Sequence, residues 1–245
     1  MRSEAFHTPG APSLAIRVPS GSVEIETLDG DETRIDLEGQ NEAGRAAVER
    51  ATIACDGDEV RVEVGEERAV FLAFRSPKVR LRVTCPHGTR LTADVVAADV
   101  KARGRFGAAA VKTVSGDVEL GDVDGDLDLK TVSGDAVAGR VGGDTRLKTV
   151  SGDLKVRELG ERADGKTVSG DVELGTVSRG TVSLQSVSGD VKVGIAAGAA
   201  VWMDLNSLSG DTRCDLTPSD GPGDGDAAVE VRAKSVSGDI RLVRA

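Results

Sequence analysis

The chain has 245 residues, a formal net charge of −10 and only 2% aromatic residues, with Trp202 as its one tryptophan. This acidic balance argues against nucleic-acid binding and against docking on anionic membranes, because both depend on Lys and Arg meeting phosphates. A core without aromatic residues must be filled by Val, Leu, Ile and Ala, and regularly spaced β-branched residues favour strands.

The amino-terminal residues contain no apolar run of signal-peptide length, and no segment approaches the ~20 apolar residues of a membrane span. Three cysteines, Cys55, Cys85 and Cys214, are far apart and form no Cys-x-x-Cys pair. This pattern is typical of reduced thiols in a cytosolic protein. We therefore expect a cytoplasmic protein with no membrane insertion.

Residues 1–95 predict a β-rich amino-terminal cap with degenerate repeats. Apolar and polar residues alternate in Gly21–Ile25, Asp58–Val64 and Val79–Val83, and Pro86–Gly88 reads as a turn. Glu42–Arg50 predicts a short helix. A solenoid needs such a cap because its open end exposes unpaired backbone groups.

Residues 96–245 predict a β-solenoid built on a Ser-Gly-Asp repeat. The repeat recurs about every 18 residues at first and at longer intervals later. A short fixed period indicates stacked rungs that bury one another. The copies begin at Ser115, Ser133, Ser151, Ser169, Ser188, Ser209 and Ser237.

Each rung is predicted to hold two strands, exemplified by Val114–Leu120 and Val123–Leu129, which alternate with period two. Gly121–Asp122 and Lys130–Thr131 then form the corners. In this interpretation Val114 points inward and Gly116 lies inward at mid-strand. The fold class is all-β: a parallel β-solenoid with two strands in each rung of ~18 residues.

The end of the chain departs from the regular repeat. The Pro/Gly/Asp-rich stretch 217–226 predicts a surface loop, and Lys234–Val243 is expected to form the terminal rung. Alternation places Val201 and Met203 inward and Trp202 outward. An outward Trp202 marks either an interaction patch or a residue covered by that loop.

The repeated Thr-Val-Ser-Gly-Asp-Val, clearest at Thr113–Val118 and Thr167–Val172, resembles a bacterial β-strand-repeat family usually described as "putative adhesin", a domain of unknown function. The resemblance is strong over roughly the carboxy-terminal 130 residues and weak elsewhere. It implies a β-solenoid, and it brings no established catalytic residues to this chain.

Stacked rungs would align Asp117, Asp135, Asp153, Asp171 and Asp190 in one column, where like charges repel. The favoured explanation is that each carboxylate accepts a hydrogen bond locally. A second is calcium binding, because aspartates also recur every nine residues from Asp117 to Asp153. A third is carboxylates of raised pKa that share protons.

Two further columns carry charge. Glu119, Val137, Lys155, Glu173 and Lys192 mix both signs, so neighbouring rungs can attract. A lysine column suggests either a ligand-binding stripe or, as we favour, solvated residues that oppose aggregation. It consists of Lys112, Lys130, Lys148 and Lys166.

Nothing in the sequence predicts catalysis. The two histidines, His7 and His87, have no partners at ligand spacing, and the serines are repeat elements. We therefore assign no catalytic, cofactor-binding or metal-binding residues. We expect a non-catalytic β-solenoid scaffold or protein-interaction module, adhesin-like, that binds a protein partner or assembles with itself. The alternatives are a calcium-dependent surface adhesin and a polysaccharide-active enzyme, although sugar sites usually need aromatic platforms.

Overall fold

The structure, a computed structural model, describes residues 1–65, 76–216 and 228–245. This part of the chain is almost entirely β-strand, which confirms the all-β prediction. The chain divides into two compact units, Met1–Asp122 and Val123–Ala245. The predicted division at residue 95 stays a prediction. Among the described residues, no helix is both long and apolar enough to cross a membrane.

The first unit is a mixed β-structure with one helix in its described part. Its elements are β1 Arg2–His7, β2 Ser13–Leu28, β3 Glu32–Gly39, α1 Glu42–Arg50, β4 Thr52–Asp56, β5 Glu59–Glu63, β6 Val79–Pro86, β7 Arg90–Phe106, β8 Ala108–Lys112 and β9 Val118–Val123.

Strand β2 organises this unit. Along one edge it pairs in parallel with β5 and then β6, and along the other edge it pairs in parallel with β7. Strand β3 lies antiparallel between β1 and β6, and β4 lies antiparallel to β5. The predicted antiparallel strands are therefore confirmed, whereas the interpretation of this region as degenerate rungs stays a prediction. Alternate residues such as Val18, Val23 and Val60 are fully buried and form the core.

The predicted helix at Glu42–Arg50 is confirmed. Its N-cap is Asn41, whose side-chain oxygen accepts the backbone N–H of Gly44 at 2.6 Å. Ala47 and Val48 are buried and pack the helix on the unit. Gly44 is required at this contact, because a Cβ there would lie 2.1 Å from the carbonyl oxygen of Lys78.

The second unit is a parallel β-solenoid in which each rung is a pair of consecutive strands. Its strands are β10 Leu127–Lys130, β11 Ala136–Val141, β12 Thr145–Lys148, β13 Leu154–Leu159, β14 Ala163–Ser169, β15 Val172–Val177, β16 Gly180–Ser188, β17 Val191–Ile195, β18 Ala200–Ser209, β19 Thr212–Cys214, β20 Ala228–Ser237 and β21 Ile240–Arg244.

Equivalent residues stack in register. Leu129 pairs with Leu147 in one stack of strands, and Ala136 pairs with Leu154 in the other. These side chains are almost completely buried between the two stacks. Burial of each such Leu or Val contributes roughly 1.5–3 kcal/mol relative to exposure. The core is thus aliphatic, as the composition predicted.

The last strands of the chain are not the last rung. Strand β20 lies between β16 and β18, and β21 lies between β17 and β19. The prediction that Lys234–Val243 is terminal is therefore wrong. The inward residues of β20, Val229, Val231 and Ala233, are small and fully buried. The less regular strand β18 takes the end position instead.

The predicted corners are also wrong. Gly121 and Asp122 lie within β9, and the Ser-Gly-Asp triplets form corners rather than mid-strand positions. In the second unit Gly152 has φ +152°, and a Cβ there would lie 2.3 Å from the carbonyl oxygen of Gly134. Glycine is needed because the corners of neighbouring rungs stack backbone on backbone. The surface loop predicted at 217–226 lies outside the described residues.

Candidate interaction surface

The repeat motif turns its threonine inward and its valine outward. Thr113 is 4% exposed whereas Val114 is 47% exposed, the reverse of the predicted direction for Val114. The inward hydroxyl can hold the corner: Thr131 Oγ1 donates to the carbonyl of Gly134 at 3.4 Å. Ser186 Oγ makes the equivalent bond to Gly189 at 3.3 Å. A valine in that slot could not make this bond.

The outward valines of the second unit form a continuous apolar row, here called the valine ladder. Its members occupy one position on successive rungs, because the serines that follow them pair in parallel from rung to rung. Each valine is between 44% and 49% exposed, and the leucine at the end is 80% exposed. In spatial order the valine ladder is Val132, Val150, Val168, Val187, Val236 and Leu208.

A column of amines runs beside the valine ladder, two residues earlier in each strand. It contains Lys130, Lys148, Lys166 and Lys234, with Gln185 and Asn206 completing it. Lys130 is neutralised by Asp128, since Nζ and Oδ2 are 2.7 Å apart. Lys148, Lys166 and Lys234 make no ion pair within the described ranges. This surface therefore combines apolar side chains with available positive charge.

The aspartates follow the corner glycines and form an aspartate ladder. From Asp153 onward, the backbone N–H of each member donates to Oδ1 of the aspartate on the adjacent rung, as from Asp171 to Asp153 at 2.8 Å and from Asp190 to Asp171 at 2.7 Å. In spatial order the ladder is Asp135, Asp153, Asp171, Asp190, Asp239 and Asp211.

These bonds explain why a column of like charges is tolerated. Asp135, Asp153, Asp171 and Asp190 accept hydrogen bonds, as the favoured prediction required, but the predicted local donor is wrong because each donor is a backbone N–H of the next rung. The N–H of Asp211 is the main cause that lowers the pKa of Asp239, and Arg241 adds to it. Among the described residues, no group of three or more His, Cys, Asp or Glu is placed to hold a metal ion.

The column of mixed sign pairs as predicted. Glu173 accepts from Lys155 Nζ at 2.7 Å and from Lys192 Nζ at 3.0 Å, so one carboxylate bridges two rungs. The bond from Lys155, followed by that from Lys192, holds the pKa of Glu173 below its ordinary value. This triad ties three successive rungs together on the outside of the solenoid.

The last rung of the second unit leaves apolar side chains exposed to solvent. Strands β18 and β19, together called the open rung, pair with β20 and β21, and with no other strand in the part of the chain that the structure describes. Val201 and Met203 continue the buried columns of Val229 and Val231, as alternation predicted. Met203 is nevertheless 46% exposed, because no further rung covers it among the residues that the structure describes.

Trp202 points outward, as predicted, and is 55% exposed. The guanidinium carbon of Arg232 lies 5.4 Å from the centroid of its ring, a cation–π contact with the adjacent strand. The sequence left open whether Trp202 belongs to an interaction patch or is covered by residues 217–226. Because 217–226 lies outside the described residues, both alternatives stay open.

The first unit contains a cavity of about 510 Å³. Its walls are mostly apolar, and its rim carries Arg17, which lies 3.6 Å from Glu63 and 3.9 Å from Asp94. Lys112 lies 3.7 Å from Asp94. Both cations of the rim are therefore already paired with carboxylates.

The groups with catalytic potential lie apart from this cavity. His7 lies 3.6 Å from Asp31, and His87 receives or donates a 2.7 Å hydrogen bond with Thr27. Burial raises the pKa of the Cys85 thiol, and a hydrogen bond with Thr89 opposes this effect. A thiol held protonated in this way is a poor nucleophile.

Comparison with known proteins identifies one sequence family and several solved structures of similar fold. The model of a family described as Toastrack DUF4097 matches residues 12–243. None of the curated proteins compared with the chain matches it. Crystal structures of similar fold include a "putative adhesin" from Parabacteroides distasonis ATCC 8503, with 11% identity, a TM-score of 0.56 and coverage of 98% of this chain and 96% of that one.

Two other solved structures are similar. A "putative adhesin" from Bacteroides fragilis NCTC 9343 has 13% identity, a TM-score of 0.52 and coverage of 99% of this chain and 96% of that one. A "putative lipid binding protein" from Parabacteroides distasonis ATCC 8503 has 13% identity, a TM-score of 0.54 and the same 99% and 96% coverage. At these identities the likeness concerns the fold alone.

Proposed function

We propose, from the premise that this chain belongs to the Toastrack DUF4097 family, that it is a non-catalytic β-solenoid that binds a protein partner along its valine ladder. The names of its structural relatives support an adhesin-like role. The observation that carries the proposal is the row of half-exposed valines beside available lysine amines.

An isolated surface valine needs no explanation, but a stacked row of them does. Every rung from β10 to β20 could carry a polar residue in this slot without loss of core packing, because the slot faces water. The repeat instead places Val132, Val150, Val168, Val187 and Val236 there. Such a straight apolar strip suits contact with another regular surface, such as a strand or a helix.

The lysine column sets the chemistry of the partner. Lys148, Lys166 and Lys234 add positive charge along one side of the valine ladder. A protein surface that alternates apolar and acidic residues would bury the valines and pair with these amines. The chain as a whole is acidic, with a net charge of −10, so these amines give an acidic partner a local attraction that the net charge does not offer.

A non-enzymatic role is part of the proposal. His7 lies beside Asp31, His87 lies between the Thr27 hydroxyl and the Asp29 carboxylate, and burial raises the pKa of the Cys85 thiol. Chemistry needs different groups that converge on one pocket. The regular columns of the second unit instead repeat the same group from rung to rung.

We also place the protein in the cytoplasm. Its cysteines Cys55, Cys85 and Cys214 are all free, and Cys214 is exposed, which suits a reducing compartment. Fractionation of cells that express the natural gene, with thiol labelling of Cys214 before and after lysis, tests this. Labelling of intact cells by an impermeant reagent would contradict a cytoplasmic location.

Site-specific photo-crosslinking in cells tests the binding face. A photoreactive amino acid replaces Val150 or Val168 on the valine ladder, and Arg157, exposed on the other stack, is the control position. We expect adducts with acidic peptides at Val150 and Val168 but not at Arg157. Equal labelling at the three positions, or none, would refute the proposal.

The same experiment separates the alternatives. Adducts that contain lipid and no peptide would contradict a protein partner and favour the activity named for one structural relative, the lipid-binding protein. Adducts that require calcium would favour the calcium-dependent surface adhesin. Replacing Val150 and Val168 together by Ser gives a second test, because the variant should lose the partner and keep its fold.

A further inference from the structure

We infer that the open rung is a self-association site, at which β18 pairs antiparallel with β18 of a second copy of this chain. The surface lies at the end of the second unit and shares only Leu208 with the valine ladder. The five valines that carry the proposed protein partner lie outside it, so the inference does not depend on that partner. Its evidence is the chemistry of one unpaired strand edge and the side chains that this edge carries.

Strand β18 lacks the usual protection of a sheet edge. Natural edges are kept short, or carry Lys, Pro or a bulge that prevents pairing. Strand β18 runs for 10 residues, Ala200–Ser209, with Asp204 as its one charged residue and with no Lys or Pro. Its free edge therefore presents a long row of backbone donors and acceptors that favours addition of another strand.

The columns that end at β18 are apolar and open. Val201, Met203 and Leu205 pair in register with Val229, Val231 and Ala233 of β20. The β20 residues are at most 1% exposed, whereas Met203 is 46% exposed. A solenoid buries this face only when another rung lies on top of it.

The sequence that connects the open rung to β20 lies outside the described residues, and its composition is poor in apolar side chains. Residues 217–227 join the open rung to β20 and read TPSDGPGDGDA, with no Val, Leu, Ile, Met or aromatic residue. Such a composition cannot extend the apolar columns. A second copy of the chain, by contrast, brings an identical set of columns with identical spacing.

The side chains select one antiparallel register. Only registers that keep inward residues opposite inward residues bury the face, since side chains alternate along a strand. A two-fold axis at Asp204 would place two carboxylates directly opposite each other, which is unfavourable. An axis at Met203 would leave Leu208, which is 80% exposed, beyond the paired residues.

A two-fold axis at Leu205 meets every requirement. It pairs Leu205 with Leu205 of the second copy, Trp202 with Leu208, and Asp204 with Asn206. The two most exposed apolar side chains of the strand thus cover each other, and the carboxylate faces an amide.

The contact is small, so the dimer should be reversible. One rung end covers less than the roughly 800 Å² per partner of a standard interface. We therefore expect a dimer that forms and dissociates with protein concentration, in which backbone hydrogen bonds supply much of the specificity.

Disulfide trapping in the full-length chain tests the register. Exposed Cys214 and half-buried Cys55 are first replaced by Ser, and Cys85 remains because it is buried. Leu205→Cys should then form a disulfide-linked dimer under mild oxidation, since opposing Cβ atoms in an antiparallel pair lie within bridging reach. Asp204→Cys, the matched control, should form no disulfide-linked dimer, because the two introduced cysteines lie diagonally across the pair and out of bridging reach. A disulfide-linked dimer of the Asp204→Cys variant, without one of the Leu205→Cys variant, would overturn the register.

Sedimentation velocity across a concentration series tests the association itself. The natural chain should pass from monomer to dimer as concentration rises, and Leu205→Lys should remain monomeric because it opposes two amines. Far-UV circular dichroism and the melting temperature check that this variant folds. A natural chain that stays monomeric throughout, or a dimer that Leu205→Lys leaves intact, would overturn the inference. Photo-crosslinking at Val168 should be unchanged in Leu205→Lys, so this proposal and that of the valine ladder can fail separately.

Discussion

The backbone N–H of Asp171 donates to Oδ1 of Asp153 on the adjacent rung at 2.8 Å. The same relation repeats along the aspartate ladder of the second unit. An N–H that carries partial positive charge thus lies between successive carboxylates. The arrangement satisfies a backbone donor at each corner and offsets the repulsion that a column of like charges would otherwise produce.

We expect Asp153→Ala to destabilise the protein by about 1 kcal/mol, because the N–H of Asp171 loses its acceptor. Asp153→Asn should cost less, since an amide oxygen can still accept. Chemical denaturation with urea measures the free energy of unfolding. The control is Asp164→Ala, a half-buried carboxylate of β14 outside the ladder. An equal loss in both alanine variants would show that the ladder bond contributes nothing.

The corner glycine gives a second prediction. Gly152→Ala should cost about 1–3 kcal/mol, because its Cβ would lie 2.3 Å from the carbonyl oxygen of Gly134 and its φ is +152°. Gly65→Ala is the control, since no atom lies within 4 Å of a Cβ there. Thermal unfolding monitored by circular dichroism compares the two variants. Similar melting temperatures would contradict close stacking of the corners.

The inward threonines are not equivalent. Thr167 Oγ1 is buried without a hydrogen-bond partner among the described residues, whereas Thr131 Oγ1 bonds to Gly134 at 3.4 Å. Thr167→Val should therefore stabilise the protein by up to about 1 kcal/mol, because it removes a desolvated hydroxyl at nearly constant volume. Thr131→Val should give no such gain. Urea unfolding measures the free energy of unfolding of both variants. Equal changes would show that the bond from Thr131 to Gly134 does not contribute to stability.

The sequence was sufficient for the repeat, the parallel stacking and the aliphatic core, because these depend on a periodicity that spans many rungs. The sequence was misleading about which side chains point inward next to the Ser-Gly-Asp corner. Val114 and Val118 are four residues apart, so both seemed to face inward. The Ser-Gly-Asp corner between them shifts the alternation of inward and outward side chains by one residue. Thr113 is therefore buried in place of Val114.

Two features of the candidate surfaces depend on contacts between rungs, which alternation along one strand does not encode. The lengthening intervals after Ser188 did not reveal that β20 lies between β16 and β18. The inward residues of the three strands are similar apolar side chains, so their pattern fits either order. The aspartate column was visible in the sequence, but the donor to Asp153 lies on another rung. The outward direction of Trp202 was correct because it needs only local alternation.

Acid should weaken the bridge at Glu173. Its pKa is lowered in the folded protein, mainly by the hydrogen bond from Lys155 and then by that from Lys192. The stability that it contributes is therefore present above the unfolded value of about 4.3 and is lost as pH falls through the lower folded value. Glu173→Gln should cost up to about 1 kcal/mol at pH 7, and the difference should shrink toward pH 3.

Urea unfolding at a series of pH values measures this difference. Glu119→Gln is a matched control in the same column position, since Glu119 has no ion pair in the described part of the chain. Its effect should be small at every pH. A Glu173→Gln difference that persists at pH 3 would contradict a contribution from the charge.

Calcium should leave the stability unchanged. Every ladder carboxylate except the terminal Asp211 already accepts a backbone N–H, as Asp190 does from Asp239 at 2.8 Å. A cation would have to compete with those bonds, and it would need several carboxylate oxygens to converge. In a column the carboxylates are instead spaced one per rung, about 4.8 Å apart. Melting temperatures in EDTA and across a calcium series should therefore coincide.

A ligand at a hundred times its dissociation constant would stabilise the protein by about 2.7 kcal/mol. A clear rise in melting temperature with calcium would therefore favour the calcium-dependent adhesin. Loss of that rise in Asp153→Asn would locate the calcium site on the aspartate ladder.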